Sequence, residues 1–141
     1  METPEEPQIK AVLDHTALLS YSRSHVHVGE LLHEASDEEN SVVAIPSVAL
    51  TKARATSLDD PQARVLLDYL VTMPSAVVLS LDLVAATKGA QYVPGMRGDI
   101  SRAHAAWASM SFEAPCFTTE PDAYPNLVLA DQILAIPTED G

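Results

Sequence analysis

Short apolar runs that alternate with helical patterns constrain the fold of this sequence more than any other feature. Strand-like runs, nearly all of whose side chains are apolar, are predicted at residues 9–14, 42–45, 76–79, 115–118 and 133–136. A strand that is apolar on both faces suits a parallel sheet that helices cover on both sides. The predicted fold class is therefore α/β, a single doubly wound domain of about five mostly parallel strands flanked by helices.

The segments between these runs carry helix signals. One set of apolar residues has the i, i+3, i+4, i+7 spacing of an amphipathic helix: Val28, Leu31, Leu32 and Ala35. Another segment opens with Asp60-Pro61, an N-cap acid followed by a proline. Helices are predicted at residues 15–22, 28–35, 61–70 and 81–89, after Pro46 and after Asp99. These elements form one domain at residues 9–137, between a flexible acidic N-terminus (1–8) and a flexible tail (138–141).

Charge and cysteine usage exclude several function classes. The net charge of −12 over 141 residues argues against strong non-specific attachment to nucleic acid, and leaves room for a basic partner. The single cysteine, Cys116, excludes an internal disulfide and a multi-cysteine zinc site, and its apolar surroundings predict a buried side chain. No apolar run approaches the roughly 20 residues of a membrane span. The N-terminus is acidic where a signal peptide is basic, so the expected location is cytoplasmic.

Three acids follow or precede predicted strands in a way that suggests a common site. Asp14 ends the first strand, Glu120 lies just past the fourth, and Asp99 starts the helix that leads into the fourth. In doubly wound folds, ligands bind at the carboxyl ends of the strands. Converging carboxylates hold Mg²⁺ or Mn²⁺, and such ions activate water for attack on a phosphodiester. Helix capping by Asp99 and ordinary loop positions for the other two acids are the alternatives.

The order of these segments resembles the PIN nuclease family over roughly residues 9–137. The matching segments are Val12-Leu13-Asp14-His15-Thr16, Val43-Ala44-Ile45-Pro46-Ser47, Gly98-Asp99-Ile100-Ser101 and Pro115-Cys116-Phe117-Thr118-Thr119-Glu120. The resemblance implies a Mg- or Mn-dependent endoribonuclease (phosphodiester hydrolysis), similar to VapC-type toxins of toxin–antitoxin pairs. It implies that Asp14, Asp99 and Glu120 are catalytic and bind the metal, and that Thr118 orients the site. RNA, an antitoxin-like or basic protein and a second copy in a homodimer are the partners it implies.

One position departs from the family pattern. Where the family carries a glutamate six residues after the proline, this sequence has Lys52. A lysine ammonium among the acids could take over the electrostatic role of the metal and pair with the carboxylates. The alternative is that the alignment is off by a helical turn, or that Lys52 faces solvent.

Further residues complete the expected site. Arg97 lies in the loop before Asp99 and could contact a phosphate. Asp122 is the alternative to Glu120 as the acid that follows the fourth strand, and His15 could line the site. Two functions follow. One is a degenerate or weakly active metal-dependent ribonuclease; the other is a catalytically silent PIN-like module that binds a protein or a nucleic acid.

Overall fold

The computed structural model describes residues 7–38, 40–124 and 133–136, and in this part of the chain five strands form one sheet. They are β1 (Gln8–Leu13), β2 (Ser41–Pro46), β3 (Ala76–Leu79), β4 (Cys116–Thr118) and β5 (Ile133–Ala135). Their order is β3-β2-β1-β4-β5, and every neighbouring pair is parallel. The chain therefore winds outward from β1 in both directions, and the predicted α/β fold with a doubly wound parallel sheet is confirmed.

Six α-helices of the described chain flank this sheet. They are α1 (His15–Ser22), α2 (Val26–Asp37), α3 (Ser47–Thr56), α4 (Pro61–Thr72), α5 (Leu83–Gly89) and α6 (Ile100–Phe112). Single 3-10 turns occur at Ala90–Tyr92, Pro94–Met96 and Pro121–Ala123. The helix predicted at residues 81–89 begins two residues later, because Asp82 caps it. None of the described helices is long and apolar enough to cross a membrane.

Aspartate N-caps fix where four of these helices begin. The side chains of Asp14, Asp60, Asp82 and Asp99 accept a backbone N–H three residues on, at 2.9–3.1 Å. Each such cap satisfies an N–H group that has no partner within its helix, and it stabilises the helix by about 1 kcal/mol. Two of the acids predicted as site residues, Asp14 and Asp99, therefore have a structural role as well.

Alternating residues of the central strands feed two hydrophobic cores, one on each face of the sheet. Leu13 and Ile45 belong to the core that α1, α2 and α4 cover, whereas Val12 and Ala44 belong to the core beneath α6. Cys116 lies in the second core and is fully buried, as predicted, and burial raises the pKa of its thiol.

The sheet sets the position of the candidate site. The carboxyl ends of β1 and β4 lie side by side, since Leu13 pairs with Phe117. α6 and α3 contact each other, and both also contact β2. The beginning of α6 and the middle of α3 therefore lie close to these strand ends. Gln8 already belongs to β1. Residues 1–6 and 137–141 lie outside the described residues, so the predicted flexible ends stay predictions.

Candidate functional site

Asp14 is fully buried at the end of β1, and three donors occupy its carboxylate. Oδ1 accepts from Thr16 Oγ1 at 2.6 Å and from the backbone N–H of Ala17 at 3.0 Å, and Oδ2 accepts from Tyr124 Oη at 2.7 Å. Burial, together with neighbouring Cys116 and Asp14, raises the pKa of Tyr124, so this phenol keeps the proton that it donates. The Asp14 carboxylate is thus held by hydrogen bonds from neutral groups.

Two threonine hydroxyls join the end of β1 to the turn after β4. The Thr16 hydroxyl gives its hydrogen to Asp14, so Thr118 Oγ1, at 3.1 Å, donates to Thr16 Oγ1. The backbone N–H groups of Thr119 and Glu120 donate in turn to Thr16 and Thr118. Thr118 is fully buried. It therefore orients the backbone that presents Glu120, and it does so from beneath the surface.

Asp99 caps α6 and receives donors on both oxygens. Oδ1 accepts from Ser101 Oγ at 2.6 Å, while Oδ2 accepts from Lys52 Nζ at 2.6 Å and from Arg102 Nη1 at 2.9 Å. Burial raises the pKa of Asp99, but hydrogen bonds from Lys52, from Ser101 and from the Arg102 backbone outweigh it and hold that pKa well below its usual range. Of the two interpretations of Lys52, the contact matches the one in which its ammonium points at the acids.

Arg102 is a second cation of the site, and sequence reasoning missed it. Its guanidinium bridges Asp99, through Nη1, and Glu120, through Nη2. Its side chain is largely buried, whereas that of Glu120 is 56% exposed. The signal was present in the sequence, since an arginine three residues after an N-cap acid lies above it on the same helical face.

Lys52, Asp99, Arg102 and Glu120 thus form one continuous cation–acid chain across the carboxyl edge of the sheet. Asp14 is not a member of this chain, because its own hydrogen bonds run to Thr16, Ala17 and Tyr124. Among the described residues, no three His, Cys, Asp or Glu side chains are grouped so that they could hold a metal ion. Asp99 and Glu120 thus share Arg102, whereas Asp14 is held separately; that the three acids bind a metal ion stays a prediction.

His15 connects the two parts of the site. The Ser101 hydroxyl gives its hydrogen to Asp99, so His15 Nδ1, at 3.1 Å, donates to Ser101 Oγ. Burial lowers the pKa of His15, and the charges of Lys52 and Arg102 lower it further, against the raising effect of the two aspartates. The imidazole is therefore neutral at pH 7 and serves as a hydrogen-bond donor at the site.

A cleft of about 720 Å³ opens beside the cation–acid chain. Arg97, Arg102, Glu120 and Asp122 are among the residues that line it. Arg97 is exposed in a left-handed turn, with φ of 56°. Asp122 lies in the 3-10 turn after Glu120. Arg97 and Asp122 therefore line the same cleft as the paired carboxylates of Asp99 and Glu120.

The donor set does not fit a resident Mg²⁺ or Mn²⁺. Both ions require oxygen ligands that are free to coordinate. Here Lys52 and Arg102 already occupy Asp99, Arg102 also occupies Glu120, and neutral donors occupy both oxygens of Asp14. A divalent ion placed among these acids would also be repelled by the positive charges of Lys52 and Arg102.

Comparison with known proteins places the fold. No protein-family model matches the chain, and no curated protein matches it at a significant level. Among solved structures it is similar to a chain of VapBC2 from Rickettsia felis bound to a DNA fragment from their promoter, with a TM-score of 0.65 and 13% sequence identity. The match covers 92% of this chain and all of the other. The chain has a PIN-like fold. At this identity the similarity establishes the fold alone.

Proposed function

We propose that the chain is a degenerate PIN-like domain, silent or feeble as a ribonuclease, that works by binding a macromolecular partner. One observation carries this proposal: Lys52 Nζ lies 2.6 Å from Asp99 Oδ2, in the position that the family pattern gives to a glutamate. A positive charge thus stands where a metal-binding carboxylate is expected. With Arg102 beside it, the internal cations neutralise the acids that a metal ion would otherwise neutralise.

The energetic argument concerns competition between the internal cations and an external ion. A metal ion could bind Asp99 and Glu120 only after Lys52 and Arg102 had moved away. The ion pairs of these two cations with Asp99 and Glu120 would then be lost. Each 1.36 kcal/mol lost from transition-state stabilisation lowers a rate about tenfold. The proposal therefore expects hydrolysis to be slow or absent.

The proposed partner is a basic or antitoxin-like protein. The net charge of −12 favours a basic surface and disfavours a polyanion. One solved structure that is similar to this chain is described as VapBC2 bound to a DNA fragment from their promoter, which is an assembly. A cytoplasmic location and a homodimer are further predictions from the sequence that accompany this proposal.

A second candidate, weak Mn²⁺-dependent cleavage of RNA, has one observation in its favour. The cleft beside the cation–acid chain is lined by Arg97 and Arg102, so a phosphate group could approach Glu120 there. In this candidate Asp14, Asp99 and Glu120 keep the catalytic roles that the resemblance implies, with Mg or Mn as the cofactor.

Cleavage of single-stranded RNA with Mn²⁺ separates the two candidates. We expect no cleavage by the wild-type protein above the background of a Glu120→Gln variant, which removes one exposed acid and leaves the core intact. Robust Mn²⁺-dependent cleavage that is lost in Glu120→Gln would contradict the proposal and make the chain an active ribonuclease.

A further inference from the structure

His104 is a buried titratable side chain that lies outside the candidate site. It belongs to the middle of α6, is only 1% exposed, and neither of its ring nitrogens has a hydrogen-bond partner in the described part of the chain. Buried polar atoms of this kind are rare in folded proteins, because each loses its hydrogen bonds to water without replacement. In the neutral form, the ring leaves one donor and one acceptor unpaired. The packing around His104 therefore holds a polar ring that would gain hydrogen bonds in water.

The side of α6 that carries His104 is covered by α5. The rings of His104 and Trp107 stack, with their centroids 6.1 Å apart. A Cβ atom added at Gly89 would lie 3.8 Å from Trp107 Cβ, so the end of α5 lies against Trp107. At the beginning of α5, the carboxylate of the N-cap Asp82 is close enough to act on the charge of His104. α5 therefore runs along the face of α6 that His104 and Trp107 form.

α5 is a short helix with few buried side chains. Of its seven residues only Ala85 and Gly89 are buried, and the elements that it mainly contacts are α6 and the 3-10 turn at Ala90–Tyr92. An isolated helix of this length is not stable in water, so α5 is helical only while it stays docked on α6. Segments with so little buried surface open at a lower free energy than the whole domain unfolds. A change beneath α5 can therefore release this helix alone.

We infer that α5 is an acid-sensitive helix, docked on α6 while His104 is neutral and released when His104 takes up a proton, and this inference does not depend on the proposed function. The protonated ring carries a positive charge and two N–H donors, and beneath α5 neither nitrogen reaches water or an acceptor. Burying such a charge costs much more than burying a neutral ring. Release of α5 gives the protonated ring access to water. Acid therefore uncovers the face of α6 that carries His104 and Trp107.

Asp82 is the charged group that opposes this release. Burial lowers the pKa of His104 below its ordinary value of 6.5, and the charge of Asp82 raises that pKa by a smaller amount. Asp82 is also committed to the cap of α5, where it accepts from the backbone N–H of Ala85 at 2.9 Å. The other titratable side chains of the described elements that pack closely against α6 do not contribute to this shift: Lys10, Lys52, Arg54, Lys88, Tyr92 and Cys116.

The direction of the pH effect follows from the lowered pKa of His104. A group of this kind stabilises the docked state above its ordinary pKa, and the stabilisation is lost as the pH falls through the pKa of the docked state. Once α5 is released, His104 regains a pKa near 6.5. The equilibrium between docked and released α5 should therefore shift toward release by up to about tenfold between pH 7.5 and pH 5.5.

Hydrogen–deuterium exchange of the full chain, followed by mass spectrometry at pH 7.5 and pH 5.5, tests the inference. After correction for the intrinsic pH dependence of amide exchange, the amides of α5 should exchange up to about tenfold faster at pH 5.5, whereas those of α4 should not change. His104→Leu introduces an apolar side chain that does not titrate, so α5 should then exchange alike at both pH values. His33→Gln is the matched control, because it removes a histidine whose side chain is 79% exposed, and it should keep the response of wild type.

The fluorescence of Trp107 gives a second readout that needs no variant. Trp107 is the one tryptophan of the sequence and lies against the end of α5, so release of α5 should shift its emission to longer wavelength at pH 5.5. Unchanged exchange of α5 or unchanged emission in wild type would each overturn the inference. Slower exchange of α5 at pH 5.5 would overturn it as well, since an ion pair with Asp82 would then strengthen docking. A response that persists in His104→Leu, is lost in His33→Gln or appears equally in α4 would also overturn it.

Discussion

Replacement of Lys52 by glutamate perturbs the candidate site most directly. The substitution removes the ammonium 2.6 Å from Asp99 Oδ2 and puts a carboxylate in its place. Unit charges about 4 Å apart interact by about 4 kcal/mol at an effective dielectric near 20. Solvent reduces this value, because the Lys52 side chain is 41% exposed, and Arg102 continues to neutralise Asp99. We expect Lys52→Glu to lower the free energy of unfolding by about 1–3 kcal/mol without metal.

Thermal melts with and without Mn²⁺ measure this effect. For a chain of this size, about 1 kcal/mol shifts the melting temperature by roughly 3 °C, so metal-free Lys52→Glu should melt about 3–9 °C below wild type. Mn²⁺ should raise the melting temperature of the variant more than that of wild type, because the new carboxylate adds an oxygen ligand. Thr51→Glu places a carboxylate at an exposed position of the same helix and leaves Lys52 in place, so it serves as the control. Equal behaviour of the two variants, or equal Mn²⁺ shifts in Lys52→Glu and wild type, would refute the reasoning.

Three further predictions concern the hydrogen bonds of the site. Tyr124→Phe leaves Oδ2 of buried Asp14 without its donor and should lower the free energy of unfolding, measured with urea, by about 1–3 kcal/mol. The control is Tyr92→Phe, at a partly exposed tyrosine, which should change the free energy of unfolding by less than about 0.5 kcal/mol. Arg102→Met removes the bridge between Asp99 and Glu120 and should cost about 1–3 kcal/mol, again by urea unfolding; an unchanged midpoint would show that the bridge contributes nothing. The pKa of Asp99 in the folded protein lies below its ordinary value of about 3.9, so the pairing of Asp99 stabilises the fold above pH 3.9 and this stabilisation is lost as the pH falls below it. The free energy of unfolding should therefore fall less between pH 5 and pH 2 in Asp99→Asn than in wild type. Identical pH profiles of the two proteins would count against the pairing.

The elements of the fold could be predicted from the sequence because each has a local cause. Apolar runs mark strands buried on both faces, and the aspartates at positions 14, 60 and 99 mark helix starts through their own backbone hydrogen bonds. The beginning of α5 was placed two residues early, because the apolar residue Leu81 precedes the true cap at Asp82. Local signals thus predicted the elements, but they misplaced this boundary, where an apolar residue and a capping aspartate are adjacent.

The site could be predicted only in part, because its contacts span long separations. Lys52 and Asp99 were singled out by position, but the Tyr124–Asp14 hydrogen bond joins residues 110 positions apart, and no local pattern indicates it. Arg102 was missed because the expectation of a metal drew attention to acids, whereas the chain neutralises those acids with its own cations. The prediction that these three carboxylates hold a metal ion took no account of internal cations, and Arg102 pairs with two of the three acids.

Titration of the wild-type protein with Mn²⁺, followed through the electron paramagnetic resonance signal of the free ion, tests the central claim most directly. If Lys52 and Arg102 replace the metal at Asp99 and Glu120, no site tighter than about 1 mM should be found at neutral pH, and Asp99→Asn should titrate like wild type. One Mn²⁺ bound per chain at micromolar concentration in wild type, and lost in Asp99→Asn, would contradict the account.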